Sequence, residues 1–125
     1  MKVAIPVYGD YVSNVFDFAH TLLLVDIENG KEKKRYEVEL ENQTLSQRAG
    51  QLKTLKVDVL VCGAVSQLLA NMVTQSGIEV LPFVTGNIEN VLGAYMTGQL
   101  TKPEFCMPGY RPGARRKFGQ RRGCR

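Results

Sequence analysis

The chain has 125 residues, 44% of them hydrophobic and with a formal net charge of +4, enough for one domain burying roughly two thirds of its unfolded surface. No apolar run approaches the ~20 residues a membrane span needs, and "MKVAIPVYGD" is interrupted too soon for a secretory signal, so a cytoplasmic protein is expected. The charge is divided: residues 1–103, the expected α/β domain, hold nine Lys/Arg against eleven Asp/Glu, whereas residues 104–125 hold seven Lys/Arg and one Glu.

"KVAIPV" (residues 2–7) reads as a buried strand that runs into a loop at Tyr8-Gly9-Asp10. "TLLLVDIE" (residues 21–28) is a second strand, and Asn29-Gly30 after it suits the positive φ of a tight hairpin turn. In "KRYEVEL" the residues Tyr36, Val38 and Leu40 alternate with Arg35, Glu37 and Glu39, so this strand has one wetter face. The period then changes. Thr44, with Gln47 three residues on, makes a capping box ahead of Leu45, Ala49, Leu52 and Leu55 at near-helical spacing. "VDVLVCG" (residues 57–63) predicts a central strand, and "VSQLLANMVTQSG" a helix closed by Gly77. "IEVLPFV" and "NIENVLGAYMTG" predict one more strand and one more helix.

The order β-β-β-α-β-α-β-α predicts parallel pairing through right-handed crossovers, with the opening hairpin adding one antiparallel strand. The expected fold is α/β, a three-layer α/β/α sandwich around a five-stranded mixed sheet. Residues 104–125 have prolines, glycines and seven cations but no periodic apolar face. Such a composition buries too little area to offset its ordering entropy, so a disordered tail is expected.

Open parallel sheets bind ligands at the carboxyl ends of their strands. That edge collects three candidate ligand-binding loops: Tyr8, Gly9, Asp10 and Ser13; Gly63, Ala64, Val65 and Ser66; Thr85, Gly86 and Asn87. Two of them open helices, whose free N–H groups can face an anion. Neither phosphate-loop spacing of glycines occurs, and "CGAVSQ" lacks the lysine, so a nucleotide is disfavoured. No serine–histidine–acid or cysteine–histidine partnership is visible, and Asp10, Asp17 and Asp26 do not form the convergent carboxylate set a metal-dependent nuclease needs. A non-catalytic protein is expected. Cys62, ending an apolar run, reads as a core thiol.

The tail supports two readings. Its seven cations, interleaved with Phe105, Tyr110 and Phe118, suit nucleic acid or an acidic protein. Cys106, Met107 and Cys124 offer soft metal ligands, with arginines to neutralise an anionic metal–sulfur species.

"KVAIPV", "VSNVFDFAHTLLLVD", "VDVLVCGAVSQLLANMVTQSGIEV" and "TGNIENVL" recur together and in this order in one family. The chain resembles the dinitrogenase iron–molybdenum cofactor biosynthesis proteins, the NifX-like domains also found at the C-terminus of NifB-type proteins. The resemblance implies an RNase H-like topology. It also implies carriage of an anionic iron- or molybdenum-containing metal–sulfur cluster or precursor, not covalently attached, between cluster donor and acceptor proteins. Cys106, Cys124 and His20 are the side chains that could then ligate metal. Four positions depart from the family pattern. Val15 stands where members carry a histidine, Asp17 and Ser66 where they carry glycine, and Tyr110 where the tail motif has a cysteine.

Overall fold

Five successive buried side chains, Val3 to Val7, form the centre of β1 (Lys2–Tyr8) in the computed structural model, which describes residues 1–40, 43–100 and 103–107. The Tyr8-Gly9-Asp10 stretch is more than the expected loop. Gly9 takes φ +62°, the positive value a two-residue hairpin needs at its first central position. The chain therefore folds straight back as β2 (Tyr11–Val12), with Tyr8 opposite Tyr11 and Val7 opposite Val12. The sheet thus has six strands, not five, because a two-residue strand is too short to leave a periodicity.

β3 (Thr21–Glu28) and β4 (Lys31–Glu39) form the expected hairpin, turned at Asn29 and Gly30 with φ of 54° and 74°. The strand order is β4-β3-β1-β5-β6, with β5 (Val59–Val61) and β6 (Glu79–Leu81) parallel to β1. β3 is antiparallel to both its neighbours, the one reversed strand along that path.

Period-2 alternation divides the apolar residues between two layers. Ala4, Leu22, Leu24, Leu60 and Val80 pack against α1 (Leu45–Thr54) and α2 (Gln67–Gln75) through Ala49, Leu52, Leu69, Ala70 and Val73. On the other face Val3, Ile5, Val25, Val59 and Val61 meet α3 (Ile88–Thr97) through Val91, Leu92 and Ala94. Each fully buried leucine or valine contributes roughly 1.5–3 kcal/mol. The capping box at α1 is present: Gln47 N–H donates to Thr44 Oγ1 at 3.2 Å, and Thr44 N–H to Gln47 Oε1 at 2.8 Å. Arg35 on β4 ties the edge strand to the first turn of α3 by pairing with Glu32 and Glu89. Its hydrogen bonds hold both carboxyls below their usual range.

Packing continues beyond residue 103. Pro103–Phe105 form a 3-10 turn, and Phe105 is buried in the α3-side core. Cys106 bridges Val84, with Thr85 N–H donating to Phe105 O at 2.9 Å and Met107 N–H to Phe83 O at 3.0 Å. The rest of the tail, Cys124 included, lies outside the described residues. No helix among them is long and apolar enough to cross a membrane.

Candidate functional site

β1, β5 and β6 point the same way, so the loops that follow them meet at one edge of the sheet. Backbone hydrogen bonds join all three. Val12 N–H donates to Gly86 O at 3.0 Å, Ala64 N–H to Asn14 O at 2.8 Å, Phe16 N–H to Ala64 O at 2.9 Å and Phe83 N–H to Gly63 O at 2.9 Å. The glycines are explained by this contact. A Cβ on Gly63 would lie 2.6 Å from both Ser13 O and Asn14 O, and Gly86 takes φ +135°. No ligand is needed to account for either.

The helix N-termini are also answered from within. Ser66 caps α2, its Oγ accepting from Leu69 N–H at 3.2 Å, and Ser66 N–H itself donates to Asp17 Oδ1 at 2.9 Å. The carboxylate of Asp17 thus stands at the positive end of α2, where an external anion would otherwise sit. At α3, Asn87 Oδ1 accepts from Glu89 N–H at 2.9 Å and Asp10 O from Ile88 N–H at 2.8 Å.

Arg48 of α1 fixes the turn that carries Asp17. It is 5% exposed, and its Nη1 donates to Ala19 O at 2.7 Å and Phe16 O at 3.3 Å. Among the described residues its Nε is buried with no partner. Burial pushes the guanidinium pKa down, and the charge of Asp17 opposes that shift. Sequence reasoning missed this residue, since an arginine in "LSQRAGQLK" reads as part of a solvated helix face.

Outside this closed turn lies a depression of about 500 Å³. Tyr8, Ser13 and Thr85 from the expected set line it, joined by Tyr11, Val12, Asn14, Val15 and Phe18. Gly9 and Asp10 form the adjoining hairpin turn, whereas Gly63, Ala64, Val65 and Ser66 do not line the depression. Gly86 and Asn87 face a separate depression beside Glu104 and Phe105. Tyr11 and Phe18 of the aromatic lining were missed as well. Their signal is "YGDYVSNVFDF", which repeats aromatic residues around a Gly-Asp turn and leaves Tyr8, Tyr11 and Phe18 exposed.

Of the expected metal ligands, His20 and Cys106 lie apart, and Cys124 is outside the described residues. His20 is exposed and precedes β3, on one side of β1; Cys106 bridges the loop after β6, on the other. Cys106 is disulfide-bonded, so a metal role for it would require reduction. No group of three or more His, Cys, Asp or Glu able to hold a metal occurs among the described residues. Cys62 is a fully buried free thiol whose pKa is pushed up by burial, then by the Asp17 charge, consistent with a packed rather than reactive sulfur. The depression therefore offers hydroxyls, an amide and aromatic rings.

The model of one protein family, described as dinitrogenase iron-molybdenum cofactor, matches residues 1–98. The crystal structure of PH0822 is similar, with 25% identity, TM-score 0.76, and 79% of this chain and 91% of that one covered. A candidate dinitrogenase from Methanocaldococcus jannaschii aligns at 22% identity and TM-score 0.68, covering 84% of this chain and 96% of that chain. The apo form of the orange protein from Desulfovibrio gigas aligns at 19% identity and TM-score 0.63, covering 78% and 88%. At those last two identities the likeness is one of fold. None of the curated proteins matches the chain.

Proposed function

This chain belongs to the dinitrogenase iron-molybdenum cofactor family, and from that premise we propose that it is a non-catalytic carrier of an anionic metal–sulfur cluster or precursor. The cargo would contain iron or molybdenum and would sit in the depression lined by Tyr8, Ser13, Asn14 and Thr85. One observation carries the reading. The depression presents hydrogen-bond donors and rings but no grouped thiolates, imidazoles or carboxylates among the described residues. A cluster that brings its own sulfides, and needs donors to its periphery rather than ligands to its metals, fits such a lining.

In this reading Ser13, Thr85 and the two tyrosine hydroxyls donate to terminal sulfur or oxygen atoms, and Phe18 shields the cluster from water. The arginines that follow residue 110 offset its charge. Where side-chain ligation adds to this, Cys106 after reduction, Cys124 and His20 are the candidates. The partners are cluster donor and acceptor proteins in the cytoplasm. An RNase H-like arrangement is part of the same proposal, supported by the order β4-β3-β1-β5-β6 with β3 reversed.

Anaerobic reconstitution of the whole chain with iron, sulfide and tetrathiomolybdate, then desalting and metal analysis, tests the proposal. Coloured protein retaining metal is expected, and Ser13→Ala with Thr85→Val should retain less. Folded protein that keeps no metal overturns it.

A further inference from the structure

β4 is the long free edge of the sheet. It has nine residues, and no strand pairs with its outer side among the described residues. The opposite edge, β6, has three, and the chain that follows it is bridged by Cys106 at Val84. A long unpaired edge is a template for another strand, and proteins blunt such edges with short strands, bulges and charge.

The backbone shows which residues of β4 a second strand would meet. Leu40 N–H donates to His20 O, in the same register that pairs Val38 with Leu22 and Tyr36 with Leu24. Backbone groups alternate sides along an antiparallel strand, so Arg35, Glu37 and Glu39 turn their N–H and C=O away from β3. From Lys34 to Glu39 the ladder to β3 is regular, and the bulge lies before it, with Lys33 the residue left over.

The charges decide what this edge accepts. Residues 31–35 are Lys31, Glu32, Lys33, Lys34 and Arg35, four cations to one anion, whereas residues 36–39 hold Glu37 and Glu39 and no cation. A strand of one sign would repel every copy of itself. A strand basic in its first half and acidic in its second repels a parallel copy and attracts an antiparallel one. One register suits it. With Tyr36 opposite Tyr36 of the second copy, Arg35 comes opposite Glu37, Lys33 opposite Glu39, and the aliphatic stem of Lys34 beside Val38. Centring the pair on residue 35 would set Arg35 against Arg35, and centring it on residue 37 would set Glu37 against Glu37. Arg35 keeps a donor for the contact, since its bonds to Glu32 and Glu89 use four of its five N–H groups. Tyr36 and Val38 are only half-buried against the α1 and α2 layer, so pairing also covers apolar surface.

We infer that β4 pairs antiparallel with β4 of a second copy of this chain, giving a two-fold dimer whose sheet runs on through the interface at Tyr36. The contact is isologous, so assembly closes at two. It uses residues 33–39 and none of the residues lining the depression at Tyr8–Phe18, so it stands apart from the cluster reading. Two short strands bury less surface than a standard interface, so half-dimerisation falls on the order of 100 µM.

The test is sedimentation equilibrium of the full chain between about 5 and 500 µM at low salt, where exposed charges are least screened. The wild type should pass from monomer to dimer. Glu37→Lys/Glu39→Lys makes the paired charges all cationic, and Lys33→Glu/Arg35→Glu makes them all anionic. Each variant alone should stay monomeric across that range, and an equimolar mixture should dimerise, because every opposed pair is again of opposite sign. Thermal melts establish that both fold. If the Arg35 change lowers the melt, Glu39→Lys mixed with Lys33→Glu repeats the exchange with Arg35 in place. Amide hydrogen exchange reads the register: Arg35 and Glu37 should slow at least fivefold from the lowest to the highest wild-type concentration, while Tyr36 and Val38, already bonded to β3, should not change. The inference is overturned by a wild type that stays monomeric, or by a lysine variant that dimerises alone. It is overturned equally by a mixture no more dimeric than its components, or by a dimer in which Arg35 and Glu37 exchange as fast as in the monomer.

Discussion

The turn at Gly63–Ser66 and the rim at Tyr8–Phe18 share one edge of the sheet and differ in what remains free there. In the turn, every feature that suggests a ligand is engaged by the chain itself. The space beside Gly63 is filled by the Ser13 and Asn14 carbonyls, and the Ser66 N–H by the Asp17 carboxylate. At the rim, three rings are left in water. A glycine or a helix N-terminus marks a ligand only when its space or its donors stay open, and here the strand-to-helix turn has closed over both. Exposed aromatic surface is the stronger indication.

If the turn is closed by packing, Gly63→Ala should be the most damaging change. Its Cβ meets two backbone oxygens at 2.6 Å, and neither can swing aside as a side-chain tip could. Overpacking of this kind costs about 3 kcal/mol, read as a lower midpoint in urea unfolding. A loss below about 1 kcal/mol would mean the first loop shifts freely, and the contrast with the rim would fail.

Arg48→Ala comes next, at about 2–3 kcal/mol, because it strips the Phe16 and Ala19 carbonyls of their buried donor. Arg48→Met should lose less, since it keeps the packed stem and removes the buried Nε that has no partner among the described residues. Equal losses in the two variants would place the damage in the two carbonyls left without a donor and none of it in the packed stem.

Asp17→Gly should cost about 1–2 kcal/mol by removing the acceptor for Ser66 N–H and the negative charge at the α2 N-terminus. It also reopens an anion seat, so added sulfate should stabilise Asp17→Gly more than wild type in thermal melts. With Arg48→Ala it should be non-additive by about 0.5 kcal/mol or more, since Arg48 bonds the turn that carries Asp17 and feels its charge. Additive losses and no sulfate effect would show that Asp17 is not acting as an internal anion.

Much of the frame was legible from the residues. β3 begins and ends where "TLLLVDIE" does, because its run of branched apolar residues is flanked by a histidine and an Asn-Gly turn. Thr44 and Gln47 cap α1 as the local spacing dictates. What escaped depends on distant pairings. Arg48 is buried only because a turn some thirty residues earlier presents two carbonyls to it. β2 exists only because Gly9 reverses the chain within two residues. Phe105 and Cys106 sit in a stretch whose composition reads as tail, and their docking on the loop after β6 leaves no periodic trace. The three candidate loops do converge, but which of their side chains are left over once the loops have bonded to each other is a property of the folded edge.

The smallest expected effect on stability belongs to the rim, and that makes it the sharpest test of the contrast. Phe18 is 77% exposed, so Phe18→Ser should change unfolding free energy by no more than about 0.5 kcal/mol. Tyr11→Ser should cost slightly more, up to about 1 kcal/mol, because it also removes a cross-strand pair with Tyr8. A fold that keeps rings where their loss is nearly free holds them for something other than folding. If Phe18→Ser instead cost 2 kcal/mol or more in urea unfolding, the ring would be a structural clamp on the 3-10 turn. The rim would then be as closed as the Gly63 turn, with no surface left for a cluster.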